Sequence, residues 1–233
     1  MSSSAASTKT QRGCAIELAS RQIVQRRRAS DRLQVRTSMP TLALSVLMPQ
    51  LAAFSDKQGV QVDLVTSLAA VQPRDEFDVL ITRDLELSGA ESWELAAETL
   101  MGVAAPVLAR AWCDSAPLRW PMIGTRSRPE MLGIWALAQG LPPEQFNLLA
   151  TDEHLHLAIA RALGGGGVLV APQLLVLDHL ASGSLVRLPG PLVPSGETYR
   201  AFVHPRSGNQ RAATSFCRWL KGTLTQRTKR LEG

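Results

Sequence analysis

Cysteine, histidine and uninterrupted apolar runs are scarce in this sequence. The 233 residues include three cysteines, Cys14, Cys113 and Cys217, and none belongs to a C-x-x-C pair. Three cysteines cannot all be paired within one chain, so they indicate a reducing compartment and a cytoplasmic location. No apolar stretch reaches membrane-spanning length without a charge, and the N-terminus lacks the apolar core of a signal peptide. We therefore expect neither export nor contact with a membrane.

Motifs of catalysis and metal binding are also missing. The four histidines have no zinc-ligand spacing, and a helix should turn His154 and His156 away from each other, which argues against a shared metal. The four glycines at 164–167 lack the Lys-Ser/Thr of a phosphate loop and follow a predicted helix instead of opening one. No G-x-S-x-G occurs. We expect neither enzymatic activity nor a cofactor or metal.

The sequence does contain enough apolar residues for a large core, at 45% of the chain, and an uneven distribution of charge. Residues 1–36 hold 8 basic and 2 acidic groups, and the last 16 residues hold 5 and 1, so the body of the chain is acidic. We predict a flexible basic segment at 1–32 and a basic tail at 225–233. A predicted helix at 14–29 ends in three arginines that could bind nucleic acid, although a solvated helix end is the simpler interpretation.

The apolar pattern predicts alternating strands and helices. Residues 33–37 and 60–64 alternate as strands, and helical spacing at 42–54, ended by Gly59, indicates a helix that Pro49 should bend. Thr151 or Asp152 is predicted to cap a helix that runs to residue 163. Further strands are predicted at 77–81, 93–106, 121–125, 146–150, 168–171, 185–188 and 198–203, and further helices at 129–139, 173–181 and 210–224. This succession is typical of an α/β fold with a mostly parallel sheet.

Eight segments, taken in order, resemble the effector-binding domain of LysR-type transcriptional regulators. They are LQVRTS, MPQLAAF, VQVDLVTS, FDVLITR, LAAETLMGVAAPVLA, TDEHLHLAIARALGGGGVLVAP, HLASGSLVRL and TYRAFVHPRSGNQRAATSFCRWL. The resemblance covers residues 33–224. It implies an α/β fold of two Rossmann-like lobes joined by crossover strands, as in type 2 periplasmic binding proteins. Lobe I would comprise 33–101 and 203–224, and lobe II would comprise 102–202.

The sequence departs from the family at its N-terminus. The family has a winged helix-turn-helix and a long linker helix, whereas only 32 residues precede the first predicted strand here. We therefore expect the chain not to read DNA by itself, and to contact DNA only indirectly or through a missing N-terminal domain. A truncated gene, a misassigned start and a free-standing sensor all remain open.

Two predicted helix starts suggest a binding cleft between the lobes. Helices beginning near Thr41 and at Asp152 would expose free N–H groups and positive dipole ends, which favour a small anion. The acidic pair Asp152 and Glu153 leaves a zwitterionic, cationic or aromatic effector equally open. Arg126 and Arg128 could clamp an acidic group, but each alone is more simply a solvated loop residue. The resemblance assigns effector contacts to Ser38, Met39, Thr41, Thr66, Ser67, Thr125, Asp152, Glu153, His154 and Tyr199, several of which could equally be helix caps or strand ends.

The resemblance also implies a function and a partner. It predicts a sensor of a small metabolite that acts as a homodimer, or as a heterodimer with a full-length LysR-type regulator. The dimer would pair the helix at 42–54 of one subunit with the helix at 152–163 of the other. Interface residues would be Leu42, Val46, Leu47, Leu51, Leu155, Ala158 and Ile159. A transporter's solute-binding protein and a small two-lobed enzyme are the alternatives.

Overall fold

Two groups of parallel strands and a pair of long crossing strands build the molecule. The computed structural model describes residues 32–67, 69, 71, 75–112 and 114–229. Residues 1–31 of the predicted N-terminal segment, with its predicted helix, and Cys14 and Cys113 lie outside these residues. Cys217 is buried and unpaired, and burial raises the pKa of its thiol to about 12, so it behaves as a small apolar core residue.

The strands form one sheet in the order β2-β1-β3-β9-β4-β7-β5-β6, with β8 beside β4. Pairing of β1 with β2 and β3 is parallel, and so is pairing of β5 with β6 and β7. The strands are β1 (Arg32–Thr37), β2 (Gln61–Thr66), β3 (Val79–Thr82), β4 (Glu91–Ala104), β5 (Met122–Thr125), β6 (Leu148–Asp152), β7 (Val168–Pro172), β8 (Val186–Arg187) and β9 (Val193–Val203).

The long strands β4 and β9 join the two parallel groups. They run antiparallel to each other, β9 also pairs with β3, and the C-terminal part of β4 pairs with β7. The register of β4 against β9 shifts between Glu94 and Ala96 and again between Ala97 and Thr99. The result is the predicted arrangement of two αβ lobes connected by crossover strands, with irregular pairing where the strands cross.

Six helices longer than a single turn cover the sheet in the part of the chain that the structure describes, in addition to 3-10 turns at Pro117–Arg119 and Pro143–Gln145. Helix α1 covers 40–58 and the others are α2 (Pro106–Trp112), α3 (Glu130–Leu137), α4 (Leu155–Leu163), α5 (Gln173–Ala181) and α6 (Gln210–Lys229). The sequence analysis missed α2, because Pro106 opens a helix directly after β4 instead of closing the strand. No helix among the described residues is long and apolar enough to cross a membrane.

Helix α1 is irregular immediately before Pro49, where the sequence predicted a bend. An α-helical turn (Pro40–Leu42) leads into a π-helical segment (Ala43–Leu47), and α-helix resumes over Met48–Gln58. The Met48 N–H donates to the carbonyl of Ala43, which widens the turn, and Pro49 has no N–H to restore the tighter pattern. The helix ends at Gly59, whose φ of 64° is the left-handed conformation that glycine adopts most easily.

Two predicted helix boundaries were wrong. Thr151 and Asp152 do not cap α4, because both belong to β6, where they pair with Gly124 and Thr125 of β5. The N-cap of α4 is His154, in extended conformation. At the other end of the chain, residues 225–229 of the predicted tail continue α6, and Arg227 binds Asp178 of α5 at 2.8 Å.

The seven residues predicted for a dimer interface belong to the monomer's core instead. Their exposed fractions run from 0% to 9%, for Leu42, Val46, Leu47, Leu51, Leu155, Ala158 and Ile159. Helical periodicity finds the apolar side of a helix, but that side packs on the sheet here. The large apolar residues that α1 and α4 leave exposed are Leu44 (60%), Met48 (57%) and Leu157 (45%).

Candidate functional site

A cavity of about 220 Å³ lies where α1 and α4 begin and where β4 and β9 cross. Five residues predicted to contact an effector line it: Ser38, Met39, Thr41, His154 and Tyr199. Other residues also line it, chief among them Arg83, Asp84, Ser127 and His156, together with Arg128, which the sequence had suggested as a possible clamp for an acidic group. The two lobes therefore enclose a space that both helix starts and the crossing strands share.

Both helices direct their N-termini toward this cavity. The N–H of Met39, the N-cap of α1, donates to Thr37 Oγ1 at 3.1 Å. At α4 the N–H of Leu155 donates to Ser127 Oγ at 3.2 Å, and Thr125 Oγ1 lies 3.1 Å from that same oxygen. The first-turn N–H groups and the positive dipole ends of two helices thus meet at one small space, an arrangement that favours a bound anion.

A buried charged cluster forms the cavity wall at the strand crossing. Glu98 lies at the second register shift of β4, and its side chain is fully buried. Arg128 donates to both of its carboxylate oxygens, at 2.7 and 3.2 Å, and to Glu130 at 2.6 Å. The Tyr199 hydroxyl, on β9, donates to Glu98 Oε2 at 2.5 Å. The cluster links both crossing strands to the loop that follows β5.

The charges of this cluster stabilise one another. Burial alone would raise the pKa of Glu98, but hydrogen bonds and charge from Arg128, with the hydroxyls of Tyr199 and Ser195, hold that pKa below its usual range. Burial would likewise lower the pKa of Arg128, and the carboxylates of Glu98 and Glu130 raise it instead. Burial and the Glu98 carboxylate raise the pKa of Tyr199. Glu98 and Arg128 are therefore both ionised and Tyr199 is a neutral donor.

Two nitrogens at the cavity are buried without a hydrogen-bond partner among the described residues. They are Nε of Arg83 and Nδ1 of His156. Arg83 Nε lies 3.6 Å from Glu197 Oε2, close enough for an ion pair but not for a hydrogen bond in this geometry. Since buried polar atoms in proteins are nearly always hydrogen-bonded, these two nitrogens could bind a polar atom of a molecule in the cavity.

The other predicted contact residues lie outside the lining of this cavity. Thr66 ends β2 and Ser67 follows it, where the Ser67 N–H donates to the Thr37 carbonyl. Thr125 is buried behind Ser127. Asp152 is paired with Arg161 at 2.7 Å, and Glu153 with Arg126 at 3.4 Å. The acidic residues that argued against an anion are thus neutralised by arginines and do not line the cavity.

His154 and His156 do not turn away from each other, contrary to the prediction. Their rings stack at an angle of 18° with centroids 5.5 Å apart, because His154 precedes the helix in extended conformation. Among the residues that the structure describes, no group of three or more histidine, cysteine, aspartate or glutamate side chains could hold a metal ion.

Sequence reasoning missed Glu98, Arg83 and Ser127. Glu98 did carry a signal, since it is the one charged residue in the apolar segment LAAETLMGVAAPVLA. A charge within a predicted crossing strand needs a partner, and Arg128 supplies it. Arg83 and Ser127 had no comparable signal, because only the folded chain brings them to the helix starts.

Comparison with known proteins assigns the family. The model of the LysR substrate binding domain matches residues 26–225, most of the chain. The chain belongs to this family. The HTH-type transcriptional regulator TrpI of Pseudomonas aeruginosa is 34% identical over 137 residues, which are 57% of this chain and 46% of TrpI. The chain therefore spans about half the length of the curated relative it matches.

Solved LysR-type structures share the fold. The effector domain of the transcriptional regulator AmpR of Pseudomonas aeruginosa has a TM-score of 0.69 and 23% identity, over 87% of this chain and 100% of that domain. The regulatory domain of CrgA from Neisseria meningitidis has a TM-score of 0.66 and 21% identity, over 83% of this chain and 98% of that one. The predicted fold, two lobes of the type 2 periplasmic-binding-protein kind, is thereby confirmed.

Proposed function

We propose that this chain senses a small molecule carrying a carboxylate and passes its binding on to a transcription regulator. The observation that carries the proposal is the meeting, at one interlobe cavity, of two helix N-termini and Arg83, whose buried Nε makes no hydrogen bond with the described residues and only a 3.6 Å ion pair with Glu197. TrpI, a relative over part of its length, is by name an HTH-type transcriptional regulator, which supports a role in transcription.

The charges around the cavity favour a carboxylate beside Arg83. Arg128 is already occupied by Glu98 and Glu130, so it has little capacity left for a ligand. Arg83 is mostly buried and only loosely paired, and it lies at the same cavity as the start of α1. Asp84 is exposed and also lines the cavity, so an amino group on the ligand would find a carboxylate there. Ser38, Met39, Thr41, His154 and Tyr199 would supply the remaining contacts.

Ligand binding would act by changing how the lobes sit relative to each other. A ligand that contacts α1 of one lobe and α4 of the other stabilises the arrangement in which both contacts are made. The two long strands that cross between the lobes have irregular pairing, which allows movement at the crossing. Binding and movement need no covalent chemistry, and we therefore propose a binding domain and not an enzyme.

The partner would be a second copy or a full-length LysR-type regulator. Leu44 and Met48 on α1, with Leu157 on α4, are exposed apolar residues on the two helices that the family resemblance assigns to the dimer. DNA would be contacted through the partner or through a domain outside these residues. Action in the cytoplasm, as the unpaired cysteines predict, is consistent with this function.

Thermal unfolding with a panel of small carboxylates tests the proposal. A ligand at one hundred times its Kd adds about 2.7 kcal/mol of stability, which raises the Tm of a domain of this size by roughly 5–10 °C. Arg83→Gln should weaken binding by about tenfold or more, because a hydrogen bond to a charged group is lost. Arg206→Gln, the same change on an exposed loop, is the control and should bind like the wild type. Equal Tm shifts for the wild type, Arg83→Gln and Arg206→Gln would contradict the proposed site.

A further inference from the structure

The loop that follows β3 presents one charge of each sign to the interlobe cavity. Arg83 and Asp84 are consecutive in the chain, come directly after β3, and both line the cavity. Among the described residues that line it, Asp84 is the one that is acidic. No ion pair joins Asp84 to a cation in the part of the chain that the structure describes. A ligand at this place therefore meets a cation and an unpaired carboxylate side by side.

Hydrogen bonds hold the Asp84 carboxylate near the start of α1. Thr82 is buried, and its hydroxyl donates to Asp84 Oδ1 at 2.9 Å. Because a hydroxyl has a single proton to donate, the Ser38 hydroxyl, 3.4 Å away, is the donor to Thr82 Oγ1. One hydrogen bond uses only part of the acceptor capacity of a carboxylate, so Asp84 can still bind an ammonium group.

The charges around Arg83 leave room for one carboxylate and disfavour a second. Its Nε makes no hydrogen bond with the described residues, and Glu197 Oε2 lies 3.6 Å away. Arg128, the other arginine that lines the cavity, is already paired with two glutamates. A second negative charge on the ligand would be repelled by Asp84 and Glu197. The site therefore suits a ligand with one carboxylate and one cationic group.

We propose that the ligand is an α-amino acid, whose carboxylate binds Arg83 and the start of α1 and whose ammonium binds Asp84. This inference rests on the proposed function and narrows it. The two charges of an α-amino acid are attached to one carbon atom, which matches opposite charges on consecutive residues. The cavity, at about 220 Å³, lies below the range of about 300–1,000 Å³ typical of pockets for drug-sized ligands, in agreement with so small a ligand. Four large apolar residues of the lining would contact the side chain of the amino acid: Met39, Leu42, Leu155 and Leu175.

Thermal unfolding with the twenty standard amino acids, followed by calorimetric titration with the one that raises the Tm most, tests the inference. Two analogues of that amino acid separate its charges: the desamino acid lacks the ammonium, and the amide lacks the carboxylate. For leucine these probes are 4-methylpentanoate and leucinamide. Each analogue should bind about tenfold or more weakly than the amino acid, because a hydrogen bond between charged groups is lost.

Two neighbouring substitutions assign the charges of the ligand to residues. Arg83→Gln should weaken binding of the amino acid and of its desamino analogue alike, by about tenfold or more. Asp84→Asn should weaken binding of the amino acid by a similar factor and should not weaken binding of the desamino analogue. Asp84 is exposed, so this variant should fold normally. Asp114→Asn, the same change in an exposed turn outside the cavity lining, is the control and should bind both probes like the wild type.

The outcomes separate this inference from the proposed function. A preference for the amino acid over its desamino analogue that is lost in Asp84→Asn would support the inference. If the desamino analogue binds as tightly as the amino acid, or if small carboxylates bind and no amino acid does, the inference fails while the proposed function stands. A preference that persists in Asp84→Asn would overturn the role of Asp84. If neither amino acids nor other carboxylates bind, the proposed function fails and this inference fails with it.

Discussion

Glu98 holds a negative charge in the interior, where an isolated carboxylate would be costly. Its side chain is fully buried, yet Arg128 binds both oxygens and Tyr199 donates to one of them. A buried ion pair of this kind adds little net stability compared with an apolar pair, but loss of one partner leaves the other charge uncompensated. We regard the cluster as the element that fixes the crossing strands against the loop after β5.

Glu98→Gln should therefore destabilise the protein. We expect the free energy of unfolding to fall by about 3 kcal/mol, the low end for breaking a buried pair, because Glu130 still contacts Arg128. Urea unfolding at neutral pH measures this change. Glu94→Gln is the matched control on the same strand: its side chain is 72% exposed and should change stability by no more than about 0.5 kcal/mol. Similar losses in both variants would show that the cluster is not specially stabilising.

The lowered pKa of Glu98 predicts the pH dependence of this difference. Since the pKa is lower in the folded state, the unfolded state takes up a proton first as the pH falls. The advantage of the wild type over Glu98→Gln should be complete above the ordinary glutamate pKa of 4.5 and decline as the pH drops through the lower, folded value. Urea unfolding of both proteins at several pH values checks this. A stability advantage of the wild type over Glu98→Gln that grows as the pH falls would contradict this prediction.

At the scale of single residues, five of the ten residues predicted to contact an effector line the cavity. Ser38, Met39 and Thr41 follow β1 directly, so their place at the helix start was predictable from local pattern. Arg83 comes from a different loop and Ser127 caps a helix that begins 28 residues later, so both depend on the assembled sheet. Asp152 was wrongly predicted to cap α4, because it belongs to β6 and its carboxylate is paired with Arg161.

Helices α1 and α4 carry apolar residues both on the side that packs on the sheet and on the side exposed to solvent. The periodic face packs on the sheet, and Leu47 and Ala158 on it are completely buried. The second face is exposed and carries Leu44, Met48 and Leu157. The spacing of apolar residues predicts most helices and strands of this fold, because the residues that face the core repeat at helical or strand spacing. It cannot distinguish a core residue from an interface residue, since both are apolar.

Neighbouring substitutions on α1 separate these roles. Leu47→Arg should lower the free energy of unfolding by about 4 kcal/mol or more, because it places an unpaired charge in the core. Met48→Arg should leave the protein folded, since that side chain is 57% exposed, and should shift sedimentation from dimer toward monomer. Circular dichroism and sedimentation velocity together measure both effects. An unchanged sedimentation coefficient for Met48→Arg would exclude this face from the dimer.

At the scale of the whole molecule, the two-lobed architecture was predictable from the order of segments and its resemblance to LysR-type regulators. The chain belongs to that family, and the sheet order confirms the crossing strands. The identity of the ligand depends on side chains that meet only after both lobes have folded, such as Arg83 and His156. The sequence pattern could therefore predict a cleft with a helix starting on each side of it. It could not predict which charged side chains line that cleft.

NMR of the four histidines during titration with the tightest carboxylate from the thermal panel tests the central claim most directly. His154 and His156 line the cavity, whereas His204 packs against Phe77 outside it. We predict that the ring signals of His154 and His156 move in proportion to bound ligand while that of His204 stays fixed. Saturable binding that leaves both cavity histidines unmoved, or that shifts only His204, would contradict a ligand site between the lobes.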